Sequence, residues 1–534
     1  MPTGAEILVG GLEEAGVDVV FGLPGVHNLA AWEALRASRI RLVGVRHEQA
    51  AVYAADGYAR ATGRLGVALV TTGPGAANTL GATGEAWASG SPVLVIATDI
   101  PTGLRRDGVY RGALHECTDQ AGMFSPVTKA QRRGIDALAA AHEALAAPQR
   151  PVYLEVPTDL LSAAAGRPEP VEAVMPVAAV PGEVEAAARA LGVARRPLVW
   201  AGGGALRSGA GPAVAALAEA LGAPVLTTYS ARGLVGGHPL AVGLPPHVPE
   251  AGALWDEADA VVAVGSDLDG MMTQNWRMPA PPTLVAINVD HDDATKNYAA
   301  SAVVVADARH GAEALASAVD GPGRAPWADL EALRAAVRSR LAAEHPAEVA
   351  FLDAFAAAVP ADAVVLADMC IPGYWLAGFH AVPAPRRLQY PMGWGTLGFA
   401  FPASLGAACA GAGPVVSVSG DGGFLFACGE LATVAQERLP LTAVVVDDGG
   451  YGMLRFDQRR SGAARYGVDL RTPDFVALAE SFGMRAEAVD GLAGDFSAAL
   501  ARHVADPEPS VLVARAVLEP PPTTSPRWYR AATA

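Results

Sequence analysis

Cysteine is scarce in this chain of 534 residues, with only Cys117, Cys370, Cys409 and Cys428. Their separations match neither a paired metal motif nor a disulfide framework, so they read as buried thiols in a reducing compartment. Charge is thin as well. Only 18% of the residues are charged, and acids outnumber bases to give a formal charge of -16. That balance excludes broad contact with nucleic acid or an anionic membrane surface. The N-terminal stretch MPTGAEILVGGLEEAGVDVV lacks the basic segment of a secretory signal and carries acids early, which points to a cytoplasmic protein. Between Leu388 and Gly420 charge is missing altogether, the one place where a membrane span has to be weighed. Seven glycines and three prolines are spread through that segment. A lipid-facing helix tolerates them poorly, so the segment reads as buried loop and helix.

What is present is an apolar, well-buried globular chain, 51% hydrophobic. Length alone suggests about three domains. Three blocks alternate strand-like and helix-like patterns, the signature of parallel α/β sheets. Residues 1–165 contain VALVTT, PVLVIAT and PVYLEVP. A linker rich in Ala, Pro and Val leads to residues 183–320, with PLVWAGGGA, PVLTTYS and AVVAVGSDLD. After the helical pattern ADLEALRAAVRSRLAAEH comes 345–520, with AVVLAD, PVVSVSGDGG and LTAVVVDDGG, followed by a proline-rich tail, 521–534. No short repeat is found, but the blocks share a rhythm, as if one doubly wound design were used three times.

The last block carries the most informative stretch, GDGGFLFACGELATVAQERLPLTAVVVDDGG, from Gly420 to Gly450. In an open parallel sheet, ligands bind beyond the carboxyl ends of the strands. PVVSVSG and LTAVVV end there, with Asp421 and Asp448 just past them. Around Asp421, Gly420, Gly422 and Gly423 leave bare backbone that a ligand can approach, and the amides opening the next helix suit a phosphate. A carboxylate would repel that phosphate unless a divalent cation sat between them. Hard oxygen donors favour Mg²⁺. A helix-capping aspartate followed by an ordinary turn fits the same spacing.

This stretch resembles the cofactor-anchoring motif of thiamine-diphosphate enzymes, a GDG followed about two dozen residues later by what is usually a pair of asparagines. The whole chain is similar to the acetolactate synthase and 2-oxo acid decarboxylase superfamily. The resemblance implies pyrimidine-binding, central Rossmann-like and diphosphate-binding domains. It also implies that Asp421, Asp448 and the carbonyl of Gly450 hold Mg²⁺ against the diphosphate, with Tyr451, Gly452 and Met453 beside them. Here aspartates, Asp447 and Asp448, stand where the asparagines are expected, and the extra negative charge should hold Mg²⁺ more firmly but disfavour the diphosphate. In VRHEQAAVYAADGYARATG, Glu48 reads on its own as a first-turn helix acid. The resemblance makes it the carboxyl that shares a proton with the aminopyrimidine ring. Gly25 and the turn TTGPGAAN, with Thr71, Gly73 and Asn78, would lie near the reaction centre. In YPMGWGTLGFAF, Leu397 would be the wedge that bends the coenzyme and Gly395 would accept from its amino group. On composition alone Leu397 is a core leucine.

The implied chemistry starts with addition of the coenzyme to a 2-oxo acid and loss of carbon dioxide. Protonation then gives an aldehyde, as in a decarboxylase, whereas attack on a second carbonyl gives a carboligase. His27 in LPGVHNL and His115 in RGALHEC border this site in relatives and can move a proton near neutral pH. Taken alone, each is more often a hydrogen-bonded surface residue. Their motifs most resemble bacterial decarboxylases of 5-guanidino-2-oxopentanoate. A guanidinium tail would seek a carboxylate, with Glu116, Asp447 and Asp457 as candidates. Phe456 and Asp457 stand where acetolactate synthases commonly have tryptophan, which weakens the synthase reading. An inactive regulatory homologue is the third alternative, and the intact Glu48 speaks against it. Some relatives hold FAD in the middle domain, but glycines after strands are more simply turns. Arg527 and Trp528 of the tail are candidates to fold over the pocket. A homodimer or homotetramer is expected, because relatives build each site from two subunits.

Overall fold

The computed structural model describes residues 1–106, 108–169, 175–319 and 323–524. Arg527, Trp528 and part of the first linker lie outside the described residues. Three sheets are formed, and every strand pairing within them is parallel.

The first sheet contains β1 (Val19–Gly22), β2 (Arg41–Gly44), β3 (Gly66–Val70), β4 (Val93–Asp99), β5 (Ala130–Arg133) and β6 (Val152–Pro157). The second contains β7 (Pro197–Ala201), β8 (Val225–Thr227), β9 (Ala260–Val264), β10 (Leu284–Asn288) and β11 (Ala302–Val305). The third contains β12 (Val364–Ala367), β13 (Leu388–Gln389), β14 (Val415–Gly420), β15 (Leu441–Asp447), β16 (Arg485–Asp490) and β17 (Ser510–Arg515). Central strands such as β3, β4 and β6 are buried along their whole length. Helices cover both faces of a parallel sheet, so these strands are mostly apolar without alternation, and the buried Asp99 and Glu155 among them pair with Arg105. The edge strand β5, AQRR, is exposed at Arg132 and Arg133, and Arg133 reaches back to the buried Asp99 at 3.0 Å.

The strand orders explain the shared rhythm. The first sheet runs β2-β1-β3-β4-β6-β5 and the third β13-β12-β14-β15-β17-β16, the same order shifted along the chain. The second, β8-β7-β9-β10-β11, repeats the first four positions and ends one strand short. In all three the order reverses between the first and third strands of the unit, which opens a crevice at their carboxyl ends. These crevices lie after β1 and β3, after β7 and β9, and after β12 and β14.

The uncharged segment forms β13, a loop, a buried helix over Ala400–Cys409 and β14. The loop is less buried than expected, because Gly393 and Trp394 are exposed. Among the described residues no helix is long and apolar enough to cross a membrane. The helix Ala400–Cys409 crosses the helix Glu48–Thr62 of the first unit at very short range. A Cβ at Gly57 would strike the carbonyl of Ala403, and one at Gly406 the carbonyl of Ala54. The four cysteines are free but half-buried, a correction to the buried reading.

Candidate active site

At the first crevice, β1 runs out into Leu23–Pro24–Gly25. Buried Asn28 braces this turn, accepting from the Gly25 amide at 2.8 Å and donating to the Leu23 carbonyl at 3.1 Å. A Cβ on Gly25 would lie 2.5 Å from the Thr71 hydroxyl, so the turns after β1 and β3 touch only because the residue is glycine. Thr71 Oγ1 is buried with no hydrogen-bond partner. Gly73 has φ +63 and packs against the carbonyl of His115. Its amide donates to Gln120 Oε1 at 2.5 Å. Glu48 opens its helix, is only 8% exposed, and accepts from Asn78 Nδ2 at 2.9 Å. The start of that helix is fixed by Glu430 of the third unit, which accepts from the Arg46 and His47 amides at 2.9 and 3.0 Å.

His27 and His115 meet beside this turn, with ring centroids 5.4 Å apart. His27 Nδ1 lies 2.8 Å from Thr72 Oγ1, which donates to Thr98 Oγ1 at 2.9 Å. Burial, and then His115, lower the His27 pKa, which favours the neutral imidazole. His115 holds a left-handed backbone, φ +64, uncommon away from glycine, and its Nδ1 is buried without a partner.

The third crevice gathers the remaining candidates. Asp421 begins the short helix Asp421–Phe424 and is 1% exposed. Its Oδ1 accepts from the Gly422 amide at 2.7 Å, while Oδ2 is buried with no partner. Burial pushes its pKa up to about 7, and the carboxylates of Asp448 and Asp447 add to the rise. Burial also raises Asp448, against the opposing pull of Arg455. A buried carboxylate oxygen with no donor, crowded by two more carboxylates, is costly unless a cation joins it. Gly422 and Gly423 let neighbouring side chains pack directly on the bare backbone of this turn. A Cβ there would lie 2.6 Å from the Tyr451 ring and 2.8 Å from the Asp368 carboxylate respectively. Gly420 faces Cys370 at a looser 3.3 Å. Gly450 (φ +152) ends the Asp447–Asp448 loop, and Gly452 packs its bare Cα against the Asp448 carboxylate. Met453 packs on the core behind. Among the described residues no three His, Cys, Asp or Glu side chains could hold a metal by themselves. A cation here would draw further ligands from phosphate and water, which is the habit of Mg²⁺. The residues fit thiamine diphosphate with Mg²⁺.

Leu397 is only half-buried, and its side chain reaches toward Gly423, so it is not a core leucine. Gly395 (φ +70) lies close by, against Met369. Asp368 holds this loop in place, and sequence reasoning missed it. It is fully buried and accepts from the amides of Met369, Gly398 and Phe399 at 2.9, 3.0 and 3.3 Å. Burial pushes its pKa up to about 6. The signal was available, since VVLAD ends in an aspartate just as VVSVSGD does. Gln120 and Glu430 were missed as well, and no local pattern marks them.

The three carboxylates considered for a guanidinium tail separate. Glu116 Oε2 accepts from the Arg111 and Ala113 amides at 2.9 and 2.8 Å, close to His115. Asp457 lies 3.4 Å from Arg460 on the helix Gly452–Ser461. Asp447 joins Asp421 in the acidic group instead. The candidate residues thus gather at two places, one in each end unit. Large exposed apolar side chains border both: Val26, Leu29 and Leu114 on the first, Trp394, Phe426 and Leu454 on the third.

The middle crevice opens into a cavity of about 280 Å³ lined by Gly203, Gly204, Arg207 and Ser266. Gly202 and Gly204 also have a packing reason, because a Cβ on either would crowd the Gly265 carbonyl. Arg207 is pushed down to about 10 by burial, then by Arg150 and Arg386.

Comparison with known proteins fits this geometry. Three family models match: the thiamine pyrophosphate enzyme N-terminal TPP binding domain over residues 2–123, the central domain over 184–315 and the C-terminal TPP binding domain over 370–514. A protein of Pseudomonas aeruginosa described as "probable 2-ketoarginine decarboxylase" is 37% identical over 90% of this chain and 88% of its own length. The acetolactate synthase of Mycobacterium bovis is 33% identical over 90% of this chain and 82% of its own. A "probable acetolactate synthase large subunit" of Methanocaldococcus jannaschii is 30% identical over 91% and 87%. This chain belongs to the thiamine pyrophosphate enzymes.

Proposed function

We propose that the protein decarboxylates a 2-oxo acid without oxidation, releasing carbon dioxide and an aldehyde, and that 5-guanidino-2-oxopentanoate (2-ketoarginine) is the substrate. The pairing of His27 and His115 beside the Glu48 turn carries this reading. A decarboxylase must deliver a proton where a carboligase must admit a second carbonyl compound, and two imidazoles at this position suit the former. The similarity to the Pseudomonas protein supports the same substrate.

When bound, the coenzyme supplies the carbanion chemistry. Glu48, oriented by Asn78, would share a proton with the aminopyrimidine ring. Leu397 would set its bend, with Gly395 accepting from the amino group. Asp421, Asp448 and Gly450 would hold Mg²⁺, and Gly420, Gly422 and Gly423, with Tyr451, Gly452 and Met453, would line the diphosphate. Gly25, Thr71 and Gly73 would face the reacting carbon. Glu116, on the same segment as His115, is the carboxylate best placed to meet the guanidinium tail.

The domain limits 1–165, 183–320 and 345–520 and a cytoplasmic location belong to this reading. So does a homodimer or homotetramer, in which a second copy covers the exposed apolar side chains and brings the two halves of each site together. FAD is not part of this reading: Gly202 and Gly204 already have a packing role against the Gly265 carbonyl.

A panel of 2-oxo acids, assayed for carbon dioxide release with thiamine diphosphate and Mg²⁺, tests the proposal. The guanidino acid should give 4-guanidinobutanal and carbon dioxide in equal amounts. Acetolactate from pyruvate as main product would decide for the synthase-like carboligase that two of the relatives suggest.

A further inference from the structure

Asp448 stands where an asparagine is expected, and two buried carboxylates with a third close by should repel a diphosphate. Arg455, three residues into the helix Gly452–Ser461, answers that charge. Its Nη1 lies 3.2 Å from Asp448 Oδ1 and donates to the Asp448 carbonyl at 2.7 Å. The two side chains are only 15% and 16% exposed, so water screens the pair weakly. Arg455 also donates through Nε to Asp469 Oδ1 at 2.9 Å. Asp469 has a cation of its own in Arg465, which leaves the charge of Arg455 available to Asp448. The same guanidinium lies against the bare backbone of Gly450, where a Cβ would strike it.

We infer that Arg455 is a positioning residue for the diphosphate end of the site, pairing with Asp448 so that the second carboxylate behaves electrostatically like the amide it replaces. One face of Asp448 is taken by Arg455, and the unpartnered Asp421 Oδ2 remains the dominant anionic donor to the cation. The inference rests on the coenzyme reading given above.

Calorimetric titration with thiamine diphosphate at saturating Mg²⁺ tests it in the wild type, Arg455→Gln, Asp448→Asn and the double variant. Arg455→Gln should weaken uptake about tenfold or more, because an unpaired carboxylate then faces the diphosphate. In the Asp448→Asn background the same change should shift affinity by less than about twofold, the mark of a coupled pair. Equal losses in both backgrounds, or no loss in the single variant, would overturn the inference. Should Arg455→Gln not fold, Arg455→Lys takes its place in the same two backgrounds: it loses the guanidinium fork, so uptake should weaken in the wild type and stay level beside Asp448→Asn, and equal effects in the two backgrounds would overturn the inference. A wild type that takes up no thiamine diphosphate would sink the coenzyme reading itself, a different failure from a wild type and Arg455→Gln that bind alike.

Discussion

Glu48 and Asp421 are both buried carboxyl groups, but one has a donor and the other has an orphan oxygen. In the function proposed above, this difference suits Glu48 to sharing a proton and Asp421 to holding a cation. Glu48→Gln keeps the size and burial while removing the shared proton. Thiamine C2 proton exchange, followed by proton NMR in deuterated buffer, should fall by orders of magnitude with coenzyme uptake nearly unchanged; an unaltered exchange rate would remove Glu48 from the chemistry. Both residues were legible in the sequence because each sits in a motif set by short spacing. Asp368 and Gln120 were not, since they brace amides 30 and 47 positions away, and such pairings exist only once the chain is folded.

At the scale of elements, the apolar runs marked the parallel strands, because burial on both faces leaves a continuous pattern. The crossing of Glu48–Thr62 with Ala400–Cys409 was hidden, since Gly57 and Gly406 look like ordinary helix glycines until the partner helix is known. Glycine to alanine within a helix normally stabilises by about 1 kcal/mol. Gly406→Ala should instead cost about 1–3 kcal/mol, because its methyl meets a backbone carbonyl that cannot yield. Chemical denaturation decides between the two, and a neutral or stabilised variant would show that the helices can separate slightly. His247 gives the fold an acid-sensitive point. Burial pushes its pKa down to about 4 from 6.5, while its Nε2 lies 3.2 Å from the Met272 carbonyl. The unfolded chain binds that proton first, so the stability contribution is complete above pH 6.5 and is lost as pH falls toward 4. The loss is about 3 kcal/mol. His247→Gln should flatten the stability curve over that window, and a slope equal to the wild type would assign the acid sensitivity elsewhere.

For the whole molecule, one repeated sheet order places three crevices at three equivalent switch points, and the candidate residues occupy the outer two. That placement makes the arrangement of the active site testable with dead variants. Glu48→Gln damages only the first-unit half and Asp421→Asn only the third-unit half. If each site takes its halves from different copies, a hybrid dimer of the two variants holds one site with both lesions and one with none. Coexpression with two affinity tags isolates that hybrid, and its activity should return to about half of wild type on a twofold-symmetric dimer. If each chain instead builds its own site, every site in the hybrid carries one lesion and activity stays at the level of the single variants. Since neither substitution touches the helix crossing at Gly57 and Gly406, recovery in the hybrid would trace to the pairing of intact halves rather than to repair of a folding defect.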